Sequence, residues 1–207
     1  MLRLIDCSLP SPAENLAFDD ELLEARQEAF RIWESPVAFV VMGRSGKAEQ
    51  EVNLTECAQL AIPVLRRSSG GGTVLQGPGC LNYSTVLSLE NRPALENVSR
   101  SYEILLEAVA EALEVPGLEV AGSDLLLHGR KVSGSAQRRT RSWLLHHGTL
   151  LYEADFNLIE RLLPEPVRRP AHREGRTHRE FLSVLPLPRE ELRHRLTAAA
   201  GLLNAVR

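Results

Sequence analysis

Apolar residues along the chain recur with two periods, and each predicts its own set of elements. From Ser11 to about Phe30 they form a helical stripe of Leu16, Ala17, Phe18, Leu22 and Leu23. Ser11 can cap that helix, and Pro12 suits its first turn, where a missing N–H costs nothing. Tyr102 to Leu113 carries Leu105, Leu106, Val109 and Leu113 at helical spacing and predicts a second amphipathic helix. A short helix is expected over Phe156 to Leu163, and Arg189 to Val206 closes the chain as another. β-Branched and aromatic runs predict strands at Arg31 to Trp33, Val37 to Met42, Ile62 to Leu65, Leu81 to Leu89 and Trp143 to Tyr152. Asp124 to His128 and Lys131 to Arg138 read as a hairpin about Gly129-Arg130. Strands follow strands while helices come singly. The expectation is therefore an α+β fold, a mostly antiparallel sheet flanked by helices, and not a doubly wound parallel one.

A length of 207 residues suits one domain, 1–207, large enough to need no disulfide or metal staple. The net charge of −3, from 24 basic and 27 acidic residues, argues against a general nucleic-acid or membrane-surface binder. No apolar run approaches the ~20 residues of a membrane span, and the opening MLRLIDCSLP has no signal-peptide stretch. Cys7, Cys57 and Cys80 lie far apart without a CxxC pair, which fits a reducing cytoplasm. Two of the 24 basic residues are lysines, Lys47 and Lys131, and the other 22 are arginines. Such a bias singles out each surviving lysine, because a tight site can require a compact point charge where a broad guanidinium does not fit.

Three segments could carry chemistry. In Arg66-Arg67-Ser68-Ser69-Gly70-Gly71-Gly72-Thr73-Val74, three glycines leave backbone N–H groups unshielded, and two arginines beside them can grip a phosphate or carboxylate. A plain surface loop would not be pressed by strand-like residues on both sides. No GxxxxGK[ST] or GxGxxG pattern occurs, so this is neither a Walker loop nor a dinucleotide fingerprint. In Gly129-Arg130-Lys131-Val132-Ser133-Gly134-Ser135-Ala136, small residues beside a lysine would make a narrow slot for a thin ligand; the plainer alternative is an exposed hairpin cation. In His146-His147-Gly148-Thr149-Leu150 the paired histidines suggest metal, but neighbours in a strand face opposite ways and no third ligand is spaced to help. Packed or hydrogen-bonded histidines are expected there, and no metal site.

In this order the segments resemble the lipoate–protein ligase A family, whose members carry an RRxSGGG motif, a GxLNYS-like strand, a [DR]xK[VI]xGSA motif and an HHGTLL strand. Here these stand as Arg66 to Gly72, Gly79-Cys80-Leu81-Asn82-Tyr83-Ser84, Arg130 to Ala136, and His146 to Leu150, with Val40-Val41-Met42-Gly43-Arg44 like the family's VVxGR. The match runs from about residue 3 to about residue 185. It implies the fold shared with biotin ligases and class II aminoacyl-tRNA synthetases, and the use of ATP, Mg²⁺ and lipoate to make lipoyl-AMP. The lipoyl group would then pass to a lysine of an apo acceptor, a lipoyl domain or glycine-cleavage H-like protein. By resemblance, Lys131 is the essential lysine. Arg67, Gly70, Gly71 and the Gly72-Thr73-Val74-Leu75 backbone meet the acyl-adenylate, with Arg66 helping to hold phosphate. Ser133, Gly134 and Ala136 line an acyl tunnel. Gln76, Asn82, His147 and Gly148 complete the ligand-binding set. Asp124 matches a family aspartate for which metal contact, orientation of the acceptor lysine and a structural role all stay open.

Three departures stand out. Gln76 replaces a usual His, Cys80 replaces a common Asn, and the chain stops at Arg207 without the C-terminal accessory domain of full ligases, so that a separate small subunit could be needed. The competing reading within the fold is an octanoyl or lipoyl transferase working through an acyl-cysteine. In such relatives the thiol lies just before the Asp–Lys hairpin, where Leu118 to Ser123 here has none. A biotin ligase and a non-catalytic cofactor-binding module are the remaining alternatives.

Overall fold

The computed structural model describes residues 2–166 and 169–207. In chain order the first elements are β1 (Arg3–Asp6), α1 (Pro12–Glu24), β2 (Ala29–Trp33), β3 (Phe39–Met42), α2 (Ala48–Glu51) and α3 (Leu54–Gln59). There follow β4 (Val64–Arg66), β5 (Val74–Gln76), β6 (Cys80–Ser88), α4 (Val98–Leu113), β7 (Leu118–Ala121) and β8 (Asp124–Leu127). The last are β9 (Arg130–Arg139), β10 (Trp143–Leu151), α5 (Phe156–Leu162), α6 (His178–Phe181) and α7 (Arg189–Ala205). A seven-stranded sheet runs β1-β2-β6-β10-β9-β8-β7, and a three-stranded one runs β4-β3-β5. Among the strands of the described residues, β1–β2 in the large sheet and β3–β4 in the small one pair in parallel and the other neighbours pair antiparallel, so the fold is the mostly antiparallel α+β arrangement expected.

Strand alternation gives the large sheet two different faces. One face, with Leu81, Tyr83, Leu150 and Val132, packs on Leu105, Leu106, Val109 and Leu113 of α4 and on Leu192, Leu196 and Ala199 of α7. Each fully buried leucine there contributes about 1.5–3 kcal/mol. The other face takes α1 at one end, through Leu22 and Leu23 against Val86 and Leu145. The small sheet covers the rest, with Val40, Met42 and Leu75 packed against Cys80, Leu126 and Leu151.

Helix α1 begins as expected, with a capping box between Ser11 and Glu14. It ends earlier, at Glu24, because Arg26 turns left-handed at φ 54°. Phe30 therefore lies in β2, a strand buried on both faces. A fully buried strand shows no alternation, and its apolar run extends a helical stripe by coincidence of spacing. The β8–β9 turn falls at His128-Gly129, one residue before the expected place, and both have positive φ (51° and 72°) as a tight two-residue hairpin turn requires. Strands β1, β5 and β7, three or four residues each, are too short to show a period.

A buried cation fastens α1 to the sheet. Arg31, with no exposed surface, donates to Asp19 Oδ1 (2.7 Å), Asn15 Oδ1 (2.6 Å) and the Asn15 carbonyl (2.8 Å), beneath the rings of Phe18 and Trp33. Burial raises the Asp19 pKa, and the Arg31 charge opposes that rise. The anchored helix brings Asp20 to the glycine segment.

Candidate active site

The glycine segment joins β4 to β5 and lies between the two sheets. Its polar side chains are committed to pinning it. Ser68 donates to Asp20 Oδ1, which also pairs with Arg138 at 2.8 Å; Ser69 Oγ lies 2.6 Å from His147 Nε2; Thr73 donates to Glu51. Arg67, 9% exposed, turns inward: Nε to Ser69 Oγ (3.0 Å), Nη1 to the Val41 carbonyl (3.3 Å), and Nη2 to the carbonyls of Gly70 (2.6 Å) and Gly72 (2.8 Å). Four of its five donors thus shape the loop, and burial lowers its pKa to about 10. Arg66 likewise spends Nη1 on the carbonyls of Gly43, Arg44 and Gly46. The sequence assigns both arginines to phosphate; the structure employs both in holding backbone. What stays open is the backbone itself. A Cβ on Gly70 or Gly72 would meet nothing within 4 Å, while Gly71, at φ 87°, sits where one would lie 3.7 Å from Ala136 Cβ on β9. Glycine is required there by the positive φ.

Lys131 reaches this face through an irregularity. Pairing of β8 with β9 runs Asp124↔Gly134 and Leu125↔Ser133, then Leu126↔Lys131, leaving Val132 as an extra residue. In a regular strand Lys131 and Gly134 would point to opposite faces; the bulge puts them on the same one. The ammonium lies directly over Gly134, where a Cβ would be 2.6 Å from Nζ, and it pairs with Asp124 Oδ1 at 2.8 Å. Asp124 is 4% exposed, and its second oxygen meets His172 Nε2 at 2.9 Å. From the Gly71–Ala136 contact to Gly134 is two residues of strand, about 7 Å. The lysine tip and the open glycine backbone thus border one space.

The bulge has a second consequence. Gly134 and Ala136 line this face, but Ser133, with no exposed surface, pairs with Leu125 and Leu150 on the α4–α7 side. Its expected place in the acyl tunnel is corrected: Ser133 belongs to the opposite core. Gly148 also faces that core, opposite Tyr83, whose ring occupies the space a Cβ would need, so its expected ligand contact becomes a packing role. The two histidines divide as strand alternation demands. His146 is buried near Tyr83 Oη (3.4 Å) and Gln137 Nε2 (3.3 Å), whereas His147 faces the glycine loop. Burial lowers both pKa values to about 3, with Arg67 adding to the shift at His147, and both are neutral at physiological pH. Gln76 donates to Thr149 Oγ1 (2.8 Å), which donates to Asn82 Oδ1 (2.6 Å), a relay tying β5 to β10 and β6. Val74 and Leu75 are packed in the apolar clusters around β3, leaving only their backbone for a ligand.

Cys80 is 4% exposed among Leu126, Leu151 and Ile159, and burial pushes its thiol up to about 12. A buried protonated thiol is a poor nucleophile. Among the described residues no three His, Cys, Asp or Glu side chains gather as a metal-holding group. No helix among them is long and apolar enough to cross a membrane. His172 was not legible in the sequence: it lies 48 residues from Asp124, outside all four motifs, in an arginine-rich stretch.

The family model described as lipoyl protein ligase A/B catalytic domain matches residues 11–183. The chain belongs to that family. Among relatives in the family, a Schizosaccharomyces pombe protein bearing the name lipoate-protein ligase A is 32% identical over 169 residues, covering 79% of this chain and 45% of its own length. The octanoyltransferase LipM of Carboxydothermus hydrogenoformans is 30% identical over 214 residues, covering 87% of this chain and 78% of the relative. The chain thus spans about half the length of the first and about three quarters of the second. The fold matches a crystal structure of lipoate-protein ligase A bound with ATP at a TM-score of 0.81, with 21% identity, 98% of this chain and 85% of that one covered. It matches a bi-partite lipoate protein ligase, described with its E2 lipoyl domain, from Thermoplasma acidophilum at 0.82, with 22% identity and 98% and 84% covered. Lipoyl ligation and octanoyl transfer are both represented by name among these proteins.

Proposed function

We propose that this chain attaches lipoate to a lysine of an acceptor protein in two steps, with lipoyl-AMP between them. The observation that carries the reading is the Lys131 ammonium, held over Gly134 by a buried carboxylate and bordering the open glycine backbone. In the first step a lipoate carboxylate oxygen bonds to the α-phosphorus of ATP and the bond to the bridging oxygen breaks, releasing pyrophosphate. Two anions must approach, and a fixed ammonium between them lowers that repulsion. In the second step the acceptor amine attacks the acyl carbon, AMP leaves, and the amine sheds a proton. The same ammonium then steadies the charge that develops on the carbonyl oxygen. Mg²⁺ would arrive with the triphosphate, whose phosphate oxygens, together with water, supply most of its ligands. The lipoyl domain accompanying the T. acidophilum ligase makes a lipoyl domain the first acceptor to try, and its bi-partite build makes a separate accessory chain the first partner to add.

The LipM relatives favour a second reading, octanoyl transfer from a carrier protein through a cysteine thioester. The thiols here speak against it. Cys57 and Cys80 are buried with raised pKa values, and Cys7 follows β1, four strands from β9 and thus about 19 Å across the sheet. One experiment separates the two. Incubation with lipoate, ATP and a lipoyl domain is expected to release pyrophosphate and lipoylate the domain, with Lys131→Arg inactive and Lys47→Arg close to wild type. Acyl transfer from octanoyl-carrier protein without ATP, with a thioester mass increment on the enzyme, would replace the ligase reading by the transferase one.

A further inference from the structure

The stretch from Arg169 to Leu185 crosses the β8–β9 hairpin and is tied to it at three places near Lys131. Arg176 donates to the Gly129 carbonyl at the turn (2.9 Å). Ser183 N donates to the Lys131 carbonyl (2.8 Å), and Leu182 bridges Lys131 in parallel. The third tie is His172 to Asp124, at 2.9 Å. An ionised carboxylate only accepts, so the proton in that contact is on the imidazole Nε2.

This bond matters because of what Asp124 does with its other oxygen. A carboxylate paired with one lysine can turn about its last torsion, which is broad and roughly two-fold, and offer either oxygen. With Oδ2 held by His172, Oδ1 is aimed at Nζ, and the ammonium is kept over Gly134. His172 is itself braced. Its ring lies 5.8 Å from that of Phe181, on which Arg173 and Arg176 also rest, and its carbonyl accepts from Arg176 Nη2 at 2.7 Å. Arg173 is paired with Glu165 at 2.7 Å, and among the described residues Lys131 and His172 are the direct partners of the Asp124 carboxylate.

We propose that His172 is a positioning residue: through Asp124 it fixes the Lys131 ammonium, so that the crossing stretch sets the aim of the lysine without touching substrate. This rests on the reading of Lys131 given above. The test is steady-state transfer from preformed lipoyl-adenylate to a lipoyl domain, with kcat and KM measured separately and melting temperature recorded. Wild type is compared with His172→Ala, His172→Gln and Lys131→Arg. Glutamine keeps an N–H donor near the place of Nε2, and alanine keeps none. Expected are a kcat for His172→Ala lower by about tenfold or more, since a shift near 1 Å at a reacting group can cost about a hundredfold, and a KM for the lipoyl domain within about twofold of wild type. His172→Gln should recover most of that loss. If the alanine variant does not fold, His172→Leu, which keeps an apolar contact with Phe181 but no donor, takes its place. Wild-type kcat in the donorless variants, or glutamine as slow as alanine, would overturn the inference. Activity in Lys131→Arg would instead remove the reading of Lys131. An inactive Lys131→Arg beside a fully active His172→Ala would remove only the role given to His172.

Discussion

At the scale of single residues, the site turns on how little space surrounds the Lys131 tip. Gly134 lies directly beneath Nζ, and an added Cβ there would come within 2.6 Å of Nζ and 2.8 Å of Cε. The intruding methyl would meet the end of a flexible side chain and not backbone, so the lysine moves and the fold does not. Gly134→Ala is therefore expected to keep its melting temperature within a few degrees while lipoyl transfer falls by about tenfold or more, since a shift near 1 Å at a reacting group can cost about a hundredfold. Paired melting curves and turnover measurements check this. A fall in both together would mean that Gly134 serves the strand and not the lysine. Ser133, one residue away, shows the contrast. It shares the motif but packs against the other core, so its side chain answers to Leu125 and Leu150 and not to a ligand.

The element that matters most is the loop between β4 and β5. Its glycines would wander if nothing held them, and the restraints come from α1 through Asp20, from β10 through His147, from α2 through Glu51, and from within through Arg67. Arg67 alone reaches three carbonyls and a hydroxyl from one planar group. Lysine at that position would keep the charge and lose the fork. Arg67→Lys should lower stability by about 2–3 kcal/mol, from buried acceptors left without donors, and should weaken binding of a lipoyl-adenylate analogue. Urea unfolding and titration calorimetry measure the two effects. Unchanged affinity in a destabilised protein would separate the loop's shape from its ligand.

Across the whole molecule, the buried neutral histidines tie stability to pH. His146 and His147 have folded pKa values near 3, against about 6.5 in an unfolded chain. Between those values the unfolded chain binds more protons, so the stability they allow is fully present above pH 6.5 and is lost as the pH falls. Each costs up to about 1.4 kcal/mol per pH unit below that point. Carboxylates held below their usual range, such as Glu28 beside Arg92, give up their contribution only at lower pH. In the window from pH 7 to 5 the fall comes mainly from these two rings, with His178, whose pKa burial also lowers, adding to it in the same direction. The urea midpoint should fall across that window, and His146→Gln should flatten the slope. A midpoint constant from pH 7 to 5 would show that the two rings are hydrated.

What the sequence by itself determined is whatever depends on neighbours in the chain. The amphipathic period of α4, the capping box of α1, the run of glycines and the lysine among small residues were all legible, because propensity and backbone access are local. The α+β class followed from the order of those elements, and four motifs in register pointed to the family. What only the tertiary structure decided depends on partners far along the chain. Strand alternation assigns faces, yet a single extra residue at Val132 reverses the assignment on one side, and the cross-strand packing of β8 on β9 settles where it falls. It moved Lys131 onto the glycine face and left Ser133 behind it. Arg67 was legible as a cation beside glycines but not as an internal brace, since its acceptors are carbonyls, which every residue has. His172 carried no signal at any fixed spacing; it meets Asp124 only because the later chain folds back across the hairpin. Local chemistry is written in adjacency, whereas aim is set by long-range contacts that no spacing in the sequence encodes.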